Sequence, residues 1–197
     1  MIGLLGGTFD PIHFGHLHIA QEIQARRHLK EVWFIPARLS PHKQESPPAE
    51  AEHRKRMVEL AIAGYPHFQL YTGELEREGP SYTVDTVREL TGRYPKERFA
   101  LLIADELVPT LPDWEGIHEI LERTTLLVGQ RIYGHLLPKT GEETIDRAAQ
   151  AGYCEMETVD ITATAIRKRI AQGGDCRSLL PPPVIDYIAQ HNLYKKI

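Results

Sequence analysis

The sequence predicts an α/β fold in which a doubly wound, mostly parallel sheet carries helices on both faces, with a small helical part at the C-terminus. Two observations support this prediction. Short apolar runs alternate along the chain with longer stretches of helical periodicity. Most of these runs are unbroken, as is typical of strands that are buried on both faces of a parallel sheet. With no internal repeat, residues 1–197 are expected to form one domain, with 161–197 as its C-terminal helical extension.

The strands are predicted from the short apolar runs, over residues 2–5, 32–36, 68–72, 98–104, 124–129 and 154–159. Apolar residues at helical spacing predict helices over residues 15–28, 83–92, 164–172 and 182–191. A further helix is expected to start at the Ser-Pro-Pro sequence 46–48 and to run to Gly64. The candidate N-caps are Ser81 or Thr83 for the helix over 83–92 and Thr164 for the helix over 164–172.

This Rossmann-like arrangement indicates where a site should lie. Open sheets of this type bind ligands beyond the carboxyl ends of their parallel strands. The segments that leave strands are therefore the ones expected to carry chemistry, namely 6–16, 36–46, 73–83, 105–114 and 129–135.

Composition narrows the classes of function. The chain has 23 Lys and Arg against 27 Asp and Glu, a net charge of -4, so it lacks the basic excess of a general nucleic-acid binder. Cys154 and Cys176 are far apart, which argues against a disulfide framework or a zinc ribbon. The start of the chain has no basic signal-peptide region, and no apolar run approaches the roughly 18 residues of a membrane span. A cytoplasmic protein without nucleic-acid or membrane partners is expected.

The loop after the first strand, GGTFDPIHFGH (6–16), carries the strongest chemical signal. Gly6 and Gly7 allow a tight turn and a close approach of a ligand to the main chain. His13 and His16 follow at the start of a helix, where N–H groups and the positive end of the helix dipole favour an anion. The chain has neither GxxxxGK[ST] nor GxGxxG, so this is not a P-loop or the dinucleotide fingerprint. Taken alone, the pattern also fits a glycine turn with two surface histidines.

A second polar segment, ITATAIRKRI (161–170), lies near the other end of the chain. Arg167 falls in the first turn of the predicted helix, where the helix dipole disfavours a cation. A bound anion would reverse that effect, so Thr162, Thr164, the first amides and Arg167 together suit a phosphate group. The alternative is a capped surface helix with a solvated arginine.

Seven segments resemble, in the same order, the bacterial nicotinate-nucleotide adenylyltransferases, a family of the HxGH nucleotidyltransferases. They are GGTFDPIHFGH, IPARLSPHK (35–43), HRKRMVELAI (53–62), PSYTVDTVREL (80–90), LPDW (111–114), ITATAIR (161–167) and LLPPPVIDYI (179–188). The likeness extends over nearly the whole chain. It implies that AMP is transferred from ATP to nicotinate mononucleotide in NAD biosynthesis, giving nicotinate adenine dinucleotide and pyrophosphate.

Such a reaction needs alignment and charge stabilisation more than a general base. The second pKa of a phosphate monoester is about 6, so the attacking group is already mostly a dianion at neutral pH. The resemblance assigns His13, His16 and Arg167 as the catalytic residues, which stabilise the phosphates and the charge that develops in transfer. The predicted ATP site consists of Gly6, Gly7, Thr8, Phe9, His13, His16, Lys43, Thr162, Thr164 and Arg167. Mg²⁺ is expected to accompany ATP, held by phosphates and water and not by a carboxylate cage of the protein.

The second substrate is expected in other loops. The resemblance places the nicotinate ring among Ser81, Tyr82, Thr83 and Trp114, with backbone amides near Tyr82 and Thr83 binding its carboxylate. The alternative for Trp114 is a core aromatic, although its polar neighbours favour a loop. Asp105, after the fourth strand, is expected to meet a ribose or the mononucleotide, and Arg131 completes the predicted mononucleotide site.

The chain departs from the family pattern in this second half. Ile103 stands where the family usually has glycine, the span from Asp105 to Trp114 is one residue longer, and residues 131–134 replace an arginine-proline-glycine turn. Alternative acceptors are therefore nicotinamide mononucleotide and phosphopantetheine. A nucleotide-binding module without catalysis is the alternative that is not an enzyme. The expected partners are ATP and nicotinate mononucleotide, and a homodimer is an allowed assembly.

Overall fold

The computed structural model describes residues 1–39, 48–133 and 136–195. Within these ranges, six strands form one all-parallel sheet in the order β3-β2-β1-β4-β5-β6, which confirms the predicted fold class. The strands are β1 (Ile2–Gly7), β2 (Glu31–Pro36), β3 (Phe68–Leu70), β4 (Phe99–Ala104), β5 (Thr124–Gly129) and β6 (Tyr153–Cys154). Because the order reverses between β1 and β4, the crevice at their carboxyl ends is the expected ligand position.

Helices connect the strands and follow the last of them. They are α1 (Phe14–Arg26), α2 (Ala51–Ile62), α3 (Gly73–Glu76), α4 (Thr83–Arg93), α5 (Ile117–Arg123), α6 (Glu143–Gly152), α7 (Ala163–Ala171) and α8 (Pro182–Gln190), with a 3₁₀ helix at Asp105–Asp113. None of the helices in the described ranges is long and apolar enough to cross a membrane.

Alternation along the strands divides the core into two layers. Leu5 of β1 faces a cluster built from α1, α2, α7 and α8, while Ile2 and Leu4 face a cluster built from α4, α5 and α6. Successive side chains of a strand point to opposite faces of the sheet, so both faces of β1 are covered. The sheet is therefore doubly wound, as the unbroken apolar runs predicted.

Several predicted boundaries change. The helix expected to start at Ser46 begins at Ala51 with Glu50 as N-cap, and Ser46 and Pro47 lie outside the described residues. The sixth strand, predicted over 154–159, has only two residues. β6 ends at Cys154 because its neighbour β5 ends at Gly129, the residue paired with Cys154, and Met156 is then buried in the core.

Four helical segments were not predicted: α3, the 3₁₀ helix, α5 and α6. The 3₁₀ helix contains Pro109 and Pro112, which mask helical periodicity. In α6, Ile145 and Ala149 are buried, and Gly152 lies so close to β5 that a Cβ there would be 1.8 Å from the carbonyl oxygen of Leu126. The close approach of this helix end to the sheet depends on glycine.

The predicted caps are partly wrong. Thr162 caps α7, its hydroxyl accepting from the N–H of Ala165 at 3.1 Å, so the helix starts two residues earlier than Thr164 as cap would require. At α4 the N-cap is Tyr82, without a side-chain cap bond. The hydroxyl of Ser81 accepts from the N–H of Arg38 at 2.9 Å, so Ser81 joins two loops.

Candidate active site

A cavity of about 420 Å³ opens at the carboxyl ends of β1 and β4. Residues 6–9, His13, His16, Thr164 and Arg167 line it from the predicted ATP half. From the predicted mononucleotide half, Ser81, Tyr82, Thr83, Trp114 and Arg131 line the same cavity. Thr162 and Asp105 are not among its lining residues, and Lys43 lies outside the described residues.

Gly6 and Gly7 are the last two residues of β1 and not the tight turn expected after it, and Gly7 leaves room for Phe9, which packs on the imidazole of His16. A Cβ on Gly7 would lie 3.0 Å from the ring of Phe9, so only glycine allows the ring to pack there without displacement. Phe9 has a positive φ of 49° and is almost fully buried. Its ring meets that of His16 edge to face, with centroids 5.0 Å apart. The buried ring of Phe9 therefore restricts the position of the His16 ring.

The two histidines form one unit at the start of α1. Their rings stack with centroids 3.7 Å apart and planes 25° from parallel. The backbone N–H of His13 donates to Nδ1 of His16 at 3.3 Å. Because Nδ1 of His16 accepts, the neutral ring carries its proton on Nε2. That assignment leaves His16 with a ring N–H donor on the side away from its own backbone.

His13 is buried and electrically neutral at pH 7. Burial, with a smaller effect from the positive charge of Arg131, lowers the pKa of His13 to about 3. Within the described residues its Nδ1 has no hydrogen-bond partner. A Cβ on Gly15 would lie 3.0 Å from this nitrogen, so the glycine of HxGH leaves room for the ring against the helix.

The amides at the start of α1 are partly engaged by the chain itself. The N–H of Phe14 donates to the carbonyl of Leu179 at 3.0 Å, and the N–H of His16 turns back to the carbonyl of His13 at 3.0 Å. The first contact attaches the LLPPP segment to α1. An anion at this helix end would depend on the imidazoles and Arg167 as well as on backbone amides.

Arg167 connects α7 to the loop between β1 and α1. Its Nη1 donates to the carbonyl of Asp10 at 2.8 Å and lies 3.6 Å from the carboxylate of that residue, while Nη2 lies 3.4 Å from the hydroxyl of Thr164. The Asp10 carboxylate also accepts from the N–H of Ala49 at 3.1 Å and from the hydroxyl of Tyr194 at 2.7 Å. Sequence reasoning missed Asp10 and Tyr194, because nothing local links residues so far apart.

At the other end of the cavity, Tyr82 is exposed and Trp114 is half-buried. Trp114 follows the 3₁₀ helix, and its Nε1 donates to the hydroxyl of Thr110 at 3.1 Å. It also packs against the core layer of α4, α5 and α6. Its ring therefore combines the two expected environments, with one part in the core and another at the cavity.

The carboxyl groups of Glu74 and Glu106, which the sequence did not single out, also line this end. Glu74 is buried, accepts from the hydroxyl of Thr86 at 2.6 Å and hydrogen-bonds to Ser81, and burial raises its pKa. Glu106 forms an ion pair with Arg131, which also donates to the carbonyl of Ile161 at 2.8 Å. Arg131 thus connects the 3₁₀ helix to the segment before α7.

Asp105 has a different place from the one expected. It is fully buried, and its carboxylate accepts from the N–H groups of Ile132 at 3.0 Å and Tyr133 at 2.8 Å. The residue anchors the loop after β5, and it contacts that loop instead of the cavity. The carboxylate of Asp105 bonds to backbone N–H groups of the protein, where the sequence had suggested a substrate.

A pair of imidazoles, an arginine and a strand that ends in two glycines meet at the switch point of a doubly wound sheet. These features define a class: α/β proteins that bind nucleotide phosphates. The chain belongs to the cytidylyltransferase-like family, whose model matches residues 4–169.

Relatives of the chain agree with the predicted resemblance. The Oceanobacillus iheyensis protein named "Probable nicotinate-nucleotide adenylyltransferase" is 39% identical, covering 98% of this chain and 96% of its own. A Bacillus pumilus protein of the same name is 42% identical over 98% of both chains. The solved structure of Plasmodium falciparum nicotinic acid mononucleotide adenylyltransferase complexed with NaAD matches with a TM-score of 0.76 at 20% identity, covering 98% of this chain and 96% of that chain. The relatives confirm the family resemblance, and the solved structure confirms the fold.

Proposed function

We propose that the protein is a nicotinate-nucleotide adenylyltransferase, which transfers AMP from ATP to nicotinate mononucleotide. The observation that carries the proposal is that one cavity is lined by both sets of predicted residues, with His13, His16 and Arg167 at one end and residues 81–83 and Trp114 at the other. The relatives at about 40% identity over 98% of the chain carry that name and support the same activity.

The reaction is a direct displacement. An oxygen of the acceptor phosphate forms a bond to the α-phosphorus of ATP, the bond from that phosphorus to the bridging oxygen breaks, and pyrophosphate leaves with the electron pair. The acceptor phosphate has a second pKa of about 6, so it needs no general base at neutral pH. Negative charge on the leaving group is what the site must stabilise.

The proposed roles follow from the donors at the cavity. His16 donates from Nε2, His13 donates as a neutral imidazole, and Arg167 brings a positive charge. Thr164 lies beside Arg167 and adds a hydroxyl, while Thr162 acts through the start of α7 that it caps. The nucleotide would lie against Gly6 and Gly7 at the end of β1 and against Thr8 and Phe9 after it. Lys43 stays a predicted phosphate ligand.

Mg²⁺ is proposed to enter with ATP. Among the described residues, no group of three or more His, Cys, Asp or Glu side chains is arranged to hold a metal ion. Asp10, the acidic residue of GGTFDPIHFGH, already accepts from Ala49 and Tyr194. A magnesium ion retained by phosphate oxygens and water fits this donor set, and it would offset phosphate charge when bound.

The acceptor is proposed to stack its pyridine ring on Trp114. Backbone amides near Tyr82 and Thr83 would hold the nicotinate carboxylate, and Arg131 would add positive charge at the same end. Ser81 supports this turn through its bonds to Arg38 and Leu39. Asp105 is proposed to act on the mononucleotide only through the loop that it anchors.

One assay separates the candidate functions. Purified protein is incubated with Mg-ATP and either nicotinate mononucleotide, nicotinamide mononucleotide or phosphopantetheine, and pyrophosphate release is followed. Release at least about tenfold faster with nicotinate mononucleotide, a difference of about 1.4 kcal/mol, supports the proposal. Preference for another acceptor would change the substrate but keep the mechanism. Absence of release with all three would favour a binding module without catalysis.

The homodimer and the cytoplasmic location are further proposals that come from the sequence. Light scattering of the purified protein measures the first, and cell fractionation measures the second.

A further inference from the structure

We propose that Arg54, a buried arginine of α2, is a positioning residue. It holds the loop after β1, beside the predicted ATP phosphates, in register with the loop after β2, which bonds to the predicted acceptor turn at residues 81–83. The inference rests on the proposed function for its effect on transfer. Arg54 is not among the residues that line the cavity, so the role is to fix the two loops without touching either substrate.

The guanidinium of Arg54 is buried and bonds only to main-chain oxygens among the described residues. Arg54 is 1% exposed, whereas Arg56 on the same helix is exposed. Nη1 donates to the carbonyls of Thr8 at 2.8 Å and Ala37 at 2.6 Å. Nη2 donates to the carbonyl of Arg38 at 3.1 Å, and Nε donates to the carbonyl of Ala49 at 2.9 Å.

These carbonyls belong to loops that leave neighbouring strands. Thr8 directly follows β1, and Ala37 and Arg38 follow β2. The two loops also meet directly, since the N–H of Ala37 donates to the carbonyl of Gly7 at 2.9 Å. Arg54 bonds to both loops, since its Nη1 donates to a carbonyl of each, Thr8 and Ala37.

The link continues to the acceptor end through Arg38. The carbonyl of Arg38 accepts from Arg54, and its N–H donates to the hydroxyl of Ser81 at 2.9 Å. The N–H of Ser81 then donates to the carbonyl of Leu39 at 2.9 Å. A short series of hydrogen bonds therefore runs from Thr8, beside the predicted phosphates, to the turn that contains Tyr82 and Thr83.

Burial of the Arg54 guanidinium carries an unfavourable free energy of desolvation. Burial lowers the pKa of Arg54, and the carboxylate of Asp10 only partly counteracts the cost of removing the charge from water. An apolar side chain like the neighbouring Met57 and Val58 would fill the core without that cost. The planar fork of arginine presents donors in several fixed directions, which the single nitrogen of lysine does not.

Loss of Arg54 should affect the transfer step more than substrate binding. Displacement at phosphorus needs the attacking oxygen in line with the leaving group, and a misplacement of about 1 Å can lower the rate about 100-fold. If Arg54 were replaced, the loop after β1 would still bind ATP, and the turn at residues 81–83 would still bind the mononucleotide. The variant should therefore lose turnover while the affinity for each substrate is retained.

Kinetics of Arg54→Lys and Arg54→Gln test the role, with Arg56→Lys and Arg56→Gln as matched controls. Arg56 pairs with Glu59 at 2.8 Å on the exposed side of the helix. We expect kcat of the Arg54 variants to fall about 100-fold, with KM for ATP and for nicotinate mononucleotide within about threefold of wild type. The Arg56 variants should keep both constants. A kcat within about threefold of wild type in the Arg54 variants, or a change confined to KM, would overturn the proposal.

Hydrogen exchange of the substrate-free protein gives a readout that does not depend on activity. Amides of residues 8–10 and 37–39 should exchange at least about tenfold faster in the Arg54 variants than in the Arg56 variants. Unchanged exchange, or unfolding of both Arg54 variants at 10 °C, would refute the positioning role. If exchange rises while wild-type protein does not act on nicotinate mononucleotide, the proposed function fails and the positioning role stands.

Discussion

Burial of His13 makes the stability of the protein depend on pH in a way that can be measured. The ring is 4% exposed, and its pKa is lowered from 6.5 to about 3 by burial and by Arg131. As the pH falls below about 6.5, the unfolded chain binds a proton at His13 that the folded protein does not bind until about pH 3. Stability is therefore highest above that window and falls within it. Between pH 7 and pH 5 the linkage relation gives a loss of about 2 kcal/mol from this residue.

His13→Gln removes the titrating group and should lose about 2 kcal/mol less stability than wild type between pH 7 and pH 5. Urea unfolding followed by tryptophan fluorescence at pH 7, 6 and 5 gives the two slopes. His67→Gln, which removes an exposed imidazole that is in water in both states, is the control and should keep the wild-type slope. If the wild type and His13→Gln lose equal stability, the burial argument for His13 is wrong.

Variants at three further residues test the proposed site by steady-state kinetics. Gly15→Ala brings a methyl group to 3.0 Å from Nδ1 of His13, so kcat should fall at least about tenfold, and normal turnover would contradict the tight fit. Arg167→Met should raise KM for ATP at least about tenfold, through loss of a charged hydrogen-bond donor, while KM for the mononucleotide stays within about threefold; the reverse pattern would reverse the assignment. Trp114→Ala should raise KM for the mononucleotide about tenfold, and Trp114→Phe much less; an effect on ATP alone would remove Trp114 from the acceptor site.

The parts of the fold that were predictable have local signals. An unbroken apolar run such as 99–104 is recognisable without knowledge of its neighbours, and so are the glycines and histidines of 6–16. The same local reasoning missed α6, because its buried face consists only of Ile145, Ala149 and Gly152. It also overextended β6, whose pairing ends at Cys154 because the neighbouring strand β5 ends at Gly129.

The parts of the site that were not predictable depend on contacts between distant residues. Asp105 was expected at a substrate because a carboxylate after a strand often binds one, but the backbone of Ile132 and Tyr133 takes both of its oxygens. Arg54 lies within a resembling segment, yet its sequence neighbours are mostly charged and gave no sign that it would be buried. A side chain that serves backbone carbonyls leaves no pattern in the sequence, since its partners can be of any residue type.

The arginines around the cavity are held by oxygens of the chain itself. Arg167 bonds to the carbonyl of Asp10, and Arg131 bonds to Glu106 and to the carbonyl of Ile161. A guanidinium has five N–H donors, so such contacts orient it without saturating it. The entropy of ordering these side chains is lost during folding. The donors are therefore already oriented when a phosphate binds. Because Thr162 and not Thr164 caps α7, Arg167 is the fifth residue of the helix and lies beyond the first turn, where the sequence had placed it. The unfavourable effect of the helix dipole is weaker there, and the oxygens of Asp10 offset the charge of Arg167 until an anion binds.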